Sequence, residues 1–190
     1  MAYIIVSAYT SNTPYEQEVK RLEKNIIKFN LPYKLHPYKS TGDWSKNTHI
    51  KAQAILTSLL QQDKDVVWID ADASLVKNPV FFDDLDCDMS CHFLNSRWDP
   101  HELISGTLFF KNNDKSKKIV GDWINLNSTN KEWDQKNLQK IVGADKELKI
   151  IPLPQEYIKI DGLGKQQPNM KDPFIVHHQA SRKLRNGKLL

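Results

Sequence analysis

Asp70 and Asp72 stand one residue apart at the end of the run Val66-Val67-Trp68-Ile69. Four consecutive β-branched or aromatic residues read as a strand buried on both faces, as in a parallel sheet. Open α/β sheets bind ligands at the carboxyl ends of such strands. Two carboxylates cost too much to desolvate there unless positive charge offsets them, and a hard divalent cation with oxygen ligands is the usual solution. A cation so placed would hold a phosphate or diphosphate; a solvated turn is the plainer reading. A second buried run, Ile175-Val176, ends in His177 and His178, with Arg182, Lys183 and Arg185 close behind. A neutral imidazole is a competent ligand for manganese or zinc, and cations a few residues on could neutralise phosphate.

Three further places put polar residues beside strand or helix ends. Ser7-Ala8-Tyr9-Thr10 closes the first apolar run, where a base or ribose would sit if the sheet binds a nucleotide; Tyr9 reads equally as a surface aromatic. At Ser105-Gly106 the missing side chain lets backbone approach a ligand closely, or marks a β-bulge. In Trp133-Asp134-Gln135 a carboxylate and an amide could bind sugar hydroxyls, although Asp134 could also be a helix cap and nothing more. Trp44 and Trp98, in polar loops, could stack on a sugar ring or a base, or anchor those loops.

These residues need elements to position them. Tyr3 to Ala8 reads as a strand. Thr13-Pro14 then offers a cap with proline in the first turn, and Val19, Leu22, Ile26 and Ile27 form one apolar helix face that Pro32 ends. A second strand spans Tyr33 to Tyr38, followed by a loop at Ser40 to Asp43 and a helix from Ser45 to Gln62 with Ile50, Ala54, Ile55 and Leu59 inward. This β-α-β-α-β order argues a parallel sheet. Beyond it, the pattern predicts a turn at Phe81-Phe82 and strands at Met89 to Phe93, Gly106 to Lys111, Lys149 to Leu153 and Phe174 to Val176. Helices are expected over Lys115 to Leu126 and Trp133 to Val142.

At 190 residues the chain suits one α/β domain. No run approaches the ~18 apolar residues of a membrane-spanning helix, and the first residues go directly into a strand pattern, so a cytoplasmic protein is expected. Cys87 and Cys91 lack further sulfur partners nearby and read as reduced structural cysteines rather than a zinc site. The net charge of +4 is mild. A basic tail from Arg182 to Lys188 is a solvated end or a phosphate contact.

The order of these pieces resembles the small GT-A glycosyltransferases that use nucleotide-sugar donors, particularly the D-x-D, family 8-like group whose last strand supplies a metal-binding histidine. The matching stretches are Val6-Ser7-Ala8-Tyr9, Lys51, Val67 to Asp72, Ile104 to Phe110, Trp133-Asp134-Gln135, Ile151-Pro152-Leu153 and Ile175-Val176-His177. The resemblance implies a single GT-A (Rossmann-like) domain over residues 1–190, with a mostly parallel mixed sheet flanked by helices. Residues 1–76 would be the nucleotide-binding half and 77–190 the acceptor-side half. It also implies a divalent metal, manganese or else magnesium, bound by Asp70, Asp72 and His177, with Asp70 also toward the ribose or sugar. Ser7, Ala8, Tyr9, Lys51, Ala71, Ser105, Gly106 and Lys183 would bind the donor, and Asp134 and Gln135 would be catalytic. The sequence after His177 lacks the Gly and Pro-Trp of many relatives, which leaves His178 as an alternative to His177 and Arg182 as an alternative to Lys183.

By resemblance the donor is a uridine diphosphate sugar. Metal with Lys183 or Arg182 would stabilise the leaving diphosphate. An inverting enzyme would use Asp134 as base, a retaining one would keep the acceptor on the leaving-group face, and both stay open. The acceptor could be a glycan, a protein, a small molecule or hydroxylated DNA. Two other readings compete: a HAD-like phosphatase using Asp70 and Asp72, and a non-catalytic nucleotide- or nucleic-acid-binding module. The first would want its motif on strand one, and the acids from Asp83 to Asp88 interrupt the basic face the second would need.

Overall fold

The computed structural model describes residues 2–94, 101–163, 167 and 170–182. Its main sheet has six strands: β1 (Tyr3–Ser11), β2 (Tyr33–Lys39), β3 (Asp65–Ile69), β5 (Met89–Leu94), β6 (Glu102–Phe110) and β7 (Ile150–Pro152). They lie in the order β2-β1-β3-β6-β5-β7. β1 runs parallel to both β2 and β3, and β5 runs parallel to β7, whereas β6 is antiparallel to its neighbours β3 and β5. Because β6 is reversed, its first residues lie at the same edge as the ends of β1 and β3. A second sheet joins β4 (Ala73–Leu75), β9 (Ile175–His177) and β8 (Lys159–Ile160) in the order β4-β9-β8. Ala73 pairs with His177 there, so the late histidine arrives beside Asp72.

The apolar runs are continuous because both faces of the main sheet are covered. On one face Tyr3, Ile5, Val67, Ile69 and Phe109 pack against Leu22 and Ile26 of α1 (Tyr15–Lys28), and against Phe82, Tyr157 and Ile175. On the other, Ile4, Val6, Val66, Trp68, Leu108 and Phe110 meet three helices: α3 (Ile50–Gln61), α4 (Asp114–Thr129) and α5 (Asp134–Ala144). Trp123 of α4 is fully buried and donates its indole N–H to the Asp134 carbonyl at 2.8 Å, which ties the start of α5 to the core. Each such side chain contributes about 1.5–3 kcal/mol by leaving water.

The expected elements are present, with four differences. The helix expected from Ser45 to Gln62 is broken into α2 (Trp44–Thr48) and α3. Asp43 caps α2 by accepting from the N–H of Ser45 and Lys46, and the His49 N–H bonds the Lys46 carbonyl three residues back, which tightens the turn. Ile27 is 57% exposed instead of inward, since it sits 100° round α1 from Ile26, which occupies the buried stripe. Strand β6 starts at Glu102, four residues before Gly106. Its early N–H groups find partners outside the sheet, Leu103 on Gln139 Oε1 and Ser105 on Gln135 Oε1, each at 3.2 Å. Strands β4 and β8 are too short to leave a periodic signal. Cys87 and Cys91 are buried and free, and no described helix is long and apolar enough to cross a membrane.

Candidate functional site

Strand β3 delivers Asp70 and Asp72 to the sheet edge, and β9 delivers His177 from the second sheet. One ligand atom from each lies within 4.8 Å of the others. They line a cavity of about 740 Å³, within the range of small-molecule sites.

Each of the three is held by its surroundings. Asp70 Oδ1 accepts from the Trp68 indole at 2.8 Å and from Lys51 Nζ at 3.0 Å. Asp72 Oδ2 accepts from the Ala180 N–H at 2.8 Å, and its carbonyl accepts from Arg21 and from the His178 N–H. Burial, followed by repulsion from Asp70, pushes the Asp72 carboxyl up to about 6. His177 is buried, and burial lowers its imidazole to about 4, so the ring is neutral. Its Nε2 lies 2.9 Å from Thr107 Oγ1. Such a partner fixes the ring and leaves the other nitrogen for an ion. His178, by contrast, has both nitrogens engaged, with Ser74 Oγ at 2.9 Å and Asp161 Oδ2 at 2.8 Å.

Lys51 is the second centre. It is 7% exposed, donates to both the carbonyl and the hydroxyl of Ser105 at 3.0 Å, and bridges Asp70 and Asp134 Oδ2, the latter at 3.2 Å. Burial alone would lower its pKa, but Asp134 and then Asp70 outweigh that and hold it above the ordinary value. Asp134 is therefore more than a helix cap: it lies one residue inside α5, 4% exposed, with its carboxylate turned onto Lys51. With Asp72 beside Asp70, the cluster counts three carboxylates against the one ammonium of Lys51, a surplus of two negative charges. Two carboxylates and a neutral imidazole form a donor set suited to manganese or magnesium, so the residues fit a divalent cation in both charge and chemistry.

Gly106 explains how the histidine fits. A Cβ there would stand 2.9 Å from His177 Cε1, 3.0 Å from Nδ1 and 3.1 Å from Ile158 Cδ1. The pairing of β5 with β6 also shifts register opposite this stretch. Gly106→Ala should accordingly push the imidazole out of line. We expect manganese affinity to fall by about 10-fold or more and stability by about 1–3 kcal/mol, as measured by metal titration and urea denaturation. Unchanged affinity would show that His177 does not meet the ion.

Of the other residues singled out from sequence, Ala8, Tyr9, Ala71, Ser105, Gly106, Gln135 and Arg182 line the cavity. Ser7 does not: it is fully buried, and its hydroxyl has no hydrogen-bond partner among the described residues. Lys183 and Trp98 lie outside the described residues. Sequence reasoning missed Glu102 and Gln179, both on the cavity wall. Gln179 has φ +56°, a left-handed turn that brings the Ala180 N–H back to Asp72. A non-glycine residue in that conformation carries no sequence signal.

Residues 13–189 match the family model described as nucleotide-diphospho-sugar transferase. No curated protein sequence matches. Among solved structures, the chain is similar to a glycosyltransferase involved in glycosylation of the major capsid of PBCV-1, at a TM-score of 0.74 and 16% identity, covering 100% of this chain and 98% of that one. It is similar to the glycosyltransferase GlyE of Streptococcus pneumoniae TIGR4 at 0.64 and 16%, covering 93% of this chain and 54% of that one. A third likeness is the galactosyltransferase LgtC, in complex with donor and acceptor sugar analogs, at 0.52 and 11%, covering 93% and 87%. At such identities these likenesses establish the shared fold.

Proposed function

The chain belongs to the nucleotide-diphospho-sugar transferase family, and on that premise we propose that it is a metal-dependent glycosyltransferase moving a sugar from a uridine diphosphate donor to an acceptor hydroxyl. The observation that carries this reading is the convergence of Asp70, Asp72 and His177 on the wall of a cavity large enough for a nucleotide sugar.

Glycosyl transfer needs charge stabilisation at the departing diphosphate while the anomeric carbon becomes cationic. A divalent cation, manganese in the first instance, held by Asp70, Asp72 and His177 would supply electrophilic assistance to that leaving group. Arg182, on the same wall, adds a positive charge for the phosphates. Tyr9 and Ala8, at the end of β1, face the base or ribose, as a nucleotide at the carboxyl edge of this sheet requires. Lys51 holds Asp70 and Asp134 at fixed separation, so both carboxylates are oriented before the donor arrives. Asp134 and Gln135 lie where they meet the transferred sugar. Gln135 accepts from the Ser105 N–H at 3.2 Å and reaches toward Glu102, which fixes its amide.

The direct test is a thermal-shift panel of nucleoside diphosphates and their sugars, each with and without manganese. A ligand at ~100 times its Kd contributes about 2.7 kcal/mol of stability. The expected result is stabilisation by one nucleotide that depends on manganese, uridine diphosphate first. No shift with any nucleotide would overturn the proposal.

A further inference from the structure

Trp133 is 37% exposed, an unusual position for the largest apolar side chain, and its ring lies 6.1 Å from that of Trp44 at an interplanar angle of 43°. Both line the cavity. They come from separate elements, Trp44 from the start of α2 and Trp133 from the residue before α5. A hydrogen-bond contact between His49 Nε2 and the Glu132 carbonyl at 3.1 Å clamps these two segments together. The side chain of Trp133 caps nothing. Its position is therefore not explained by helix capping or by core packing.

We infer that the Trp44–Trp133 pair is a stacking platform for a sugar ring of the acceptor, so that the acceptor is a glycan; this rests on the transferase reading above. Contacts along the cavity fix where the platform lies. Asp72 and Asp70 share the candidate ion, Asp70 meets Lys51, Lys51 meets Asp134, and Asp134 adjoins Trp133. A donor whose diphosphate sits at the first pair extends its sugar over Lys51 and Asp134. The tryptophans then stand on the far side of the transferred sugar from the diphosphate, where the second substrate must enter. Tyr9 and Thr10, at the end of β1, provide a separate place for the nucleotide base.

The chemistry of the surroundings selects a sugar. The two rings splay apart and do not form the parallel slot that would sandwich a flat base. The apolar C–H face of a pyranose packs on an indole, while its edge hydroxyls need planar hydrogen-bonding groups. Gln135 and Glu102 supply such groups on the same wall, bonded to each other at 3.4 Å. The Glu102 carboxylate also repels the phosphates of a nucleic acid, and two indoles are too small a patch for an acyl chain.

The experiment is saturation-transfer NMR with a panel of methyl glycosides and disaccharides, on the manganese- and nucleotide-loaded protein. The variants are Trp133→Ala, Trp44→Ala and the conservative Trp133→Phe. Ring protons of at least one glycoside should be saturated by the wild type. Its Kd should rise about 10-fold or more in either alanine variant, with a smaller rise for phenylalanine, while the variants keep the wild-type thermal shift with nucleotide and manganese. Glycosides that saturate the alanine variants as they do the wild type would overturn the inference, as would a panel with no binder or a loss confined to nucleobase protons. Absence of any nucleotide shift in the wild type would instead mark failure of the transferase reading.

Discussion

Lys51→Met is expected to destabilise the fold by about 3–5 kcal/mol, the cost of leaving one member of a buried ion pair without its partner. Methionine replaces most of the stem volume, so little of that loss comes from a cavity. The loss falls mainly on Asp134, whose side chain is 5% exposed and retains the weak contact of the Ser105 hydroxyl at 3.4 Å. Asp70 suffers less, because its side chain is 33% exposed and retains the Trp68 indole. Transfer activity should also drop by about 10²-fold or more, since a fixed charge beside the reacting groups is removed. The double variant Lys51→Met/Asp134→Asn separates the two effects. Stability should return most of the way to wild type, whereas activity should not. Urea denaturation and a donor-turnover assay read these outcomes. A double variant no more stable than Lys51→Met would show that the unpaired Asp134 charge is not the source of the cost.

Much of this arrangement was legible in the residues, for identifiable reasons. Val66 to Ile69 read as a doubly covered strand, which placed its acids at an edge where ligands bind. The meeting of Asp72 with His177 was not legible from periodicity, because the strands that bring it about, Ala73–Leu75 and Ile175–His177, are three residues each. Their pairing is a tertiary event. The ambiguity between His177 and His178 could not be resolved from two adjacent identical residues. In the structure His177, the last residue of β9, has its ring beside Thr107, whereas His178, just past the strand, meets Ser74 and Asp161. Asp134 looked like a cap in sequence, since acids are common at helix starts. Its pairing with Lys51, across a separation of 83 positions in the chain, is invisible without coordinates. The split at His49 left no signal in the pattern because Ser45 to His49 are all polar, so no apolar period runs across the junction to show a break.

Asp72→Asn is expected to uncouple stability from function. The carboxylate is half-buried beside Asp70, with Glu18 adding further repulsion, so in the metal-free protein it is under electrostatic strain. Asparagine keeps an oxygen that can accept from the Ala180 N–H, the bond that closes the turn after β9. The fold should therefore lose no tie while shedding a repulsive charge. The melting temperature of the metal-free variant should match or exceed that of the wild type, by roughly 2–4 °C if about 1 kcal/mol is relieved in a chain of this size. With manganese and nucleotide the order should invert. One of the two anionic ligands is gone, the surplus of two negative charges is halved, and the manganese-dependent shift should disappear. Turnover should fall by about 10³-fold or more, corresponding to several kcal/mol of lost charge stabilisation at the leaving group. A groups-specific role in chelation and a role in holding the turn thus differ in sign. If the metal-free variant melts several degrees below wild type, Asp72 serves the fold. If it melts no lower but no longer responds to manganese, the carboxylate is kept for the ion at the expense of stability, as active sites commonly require.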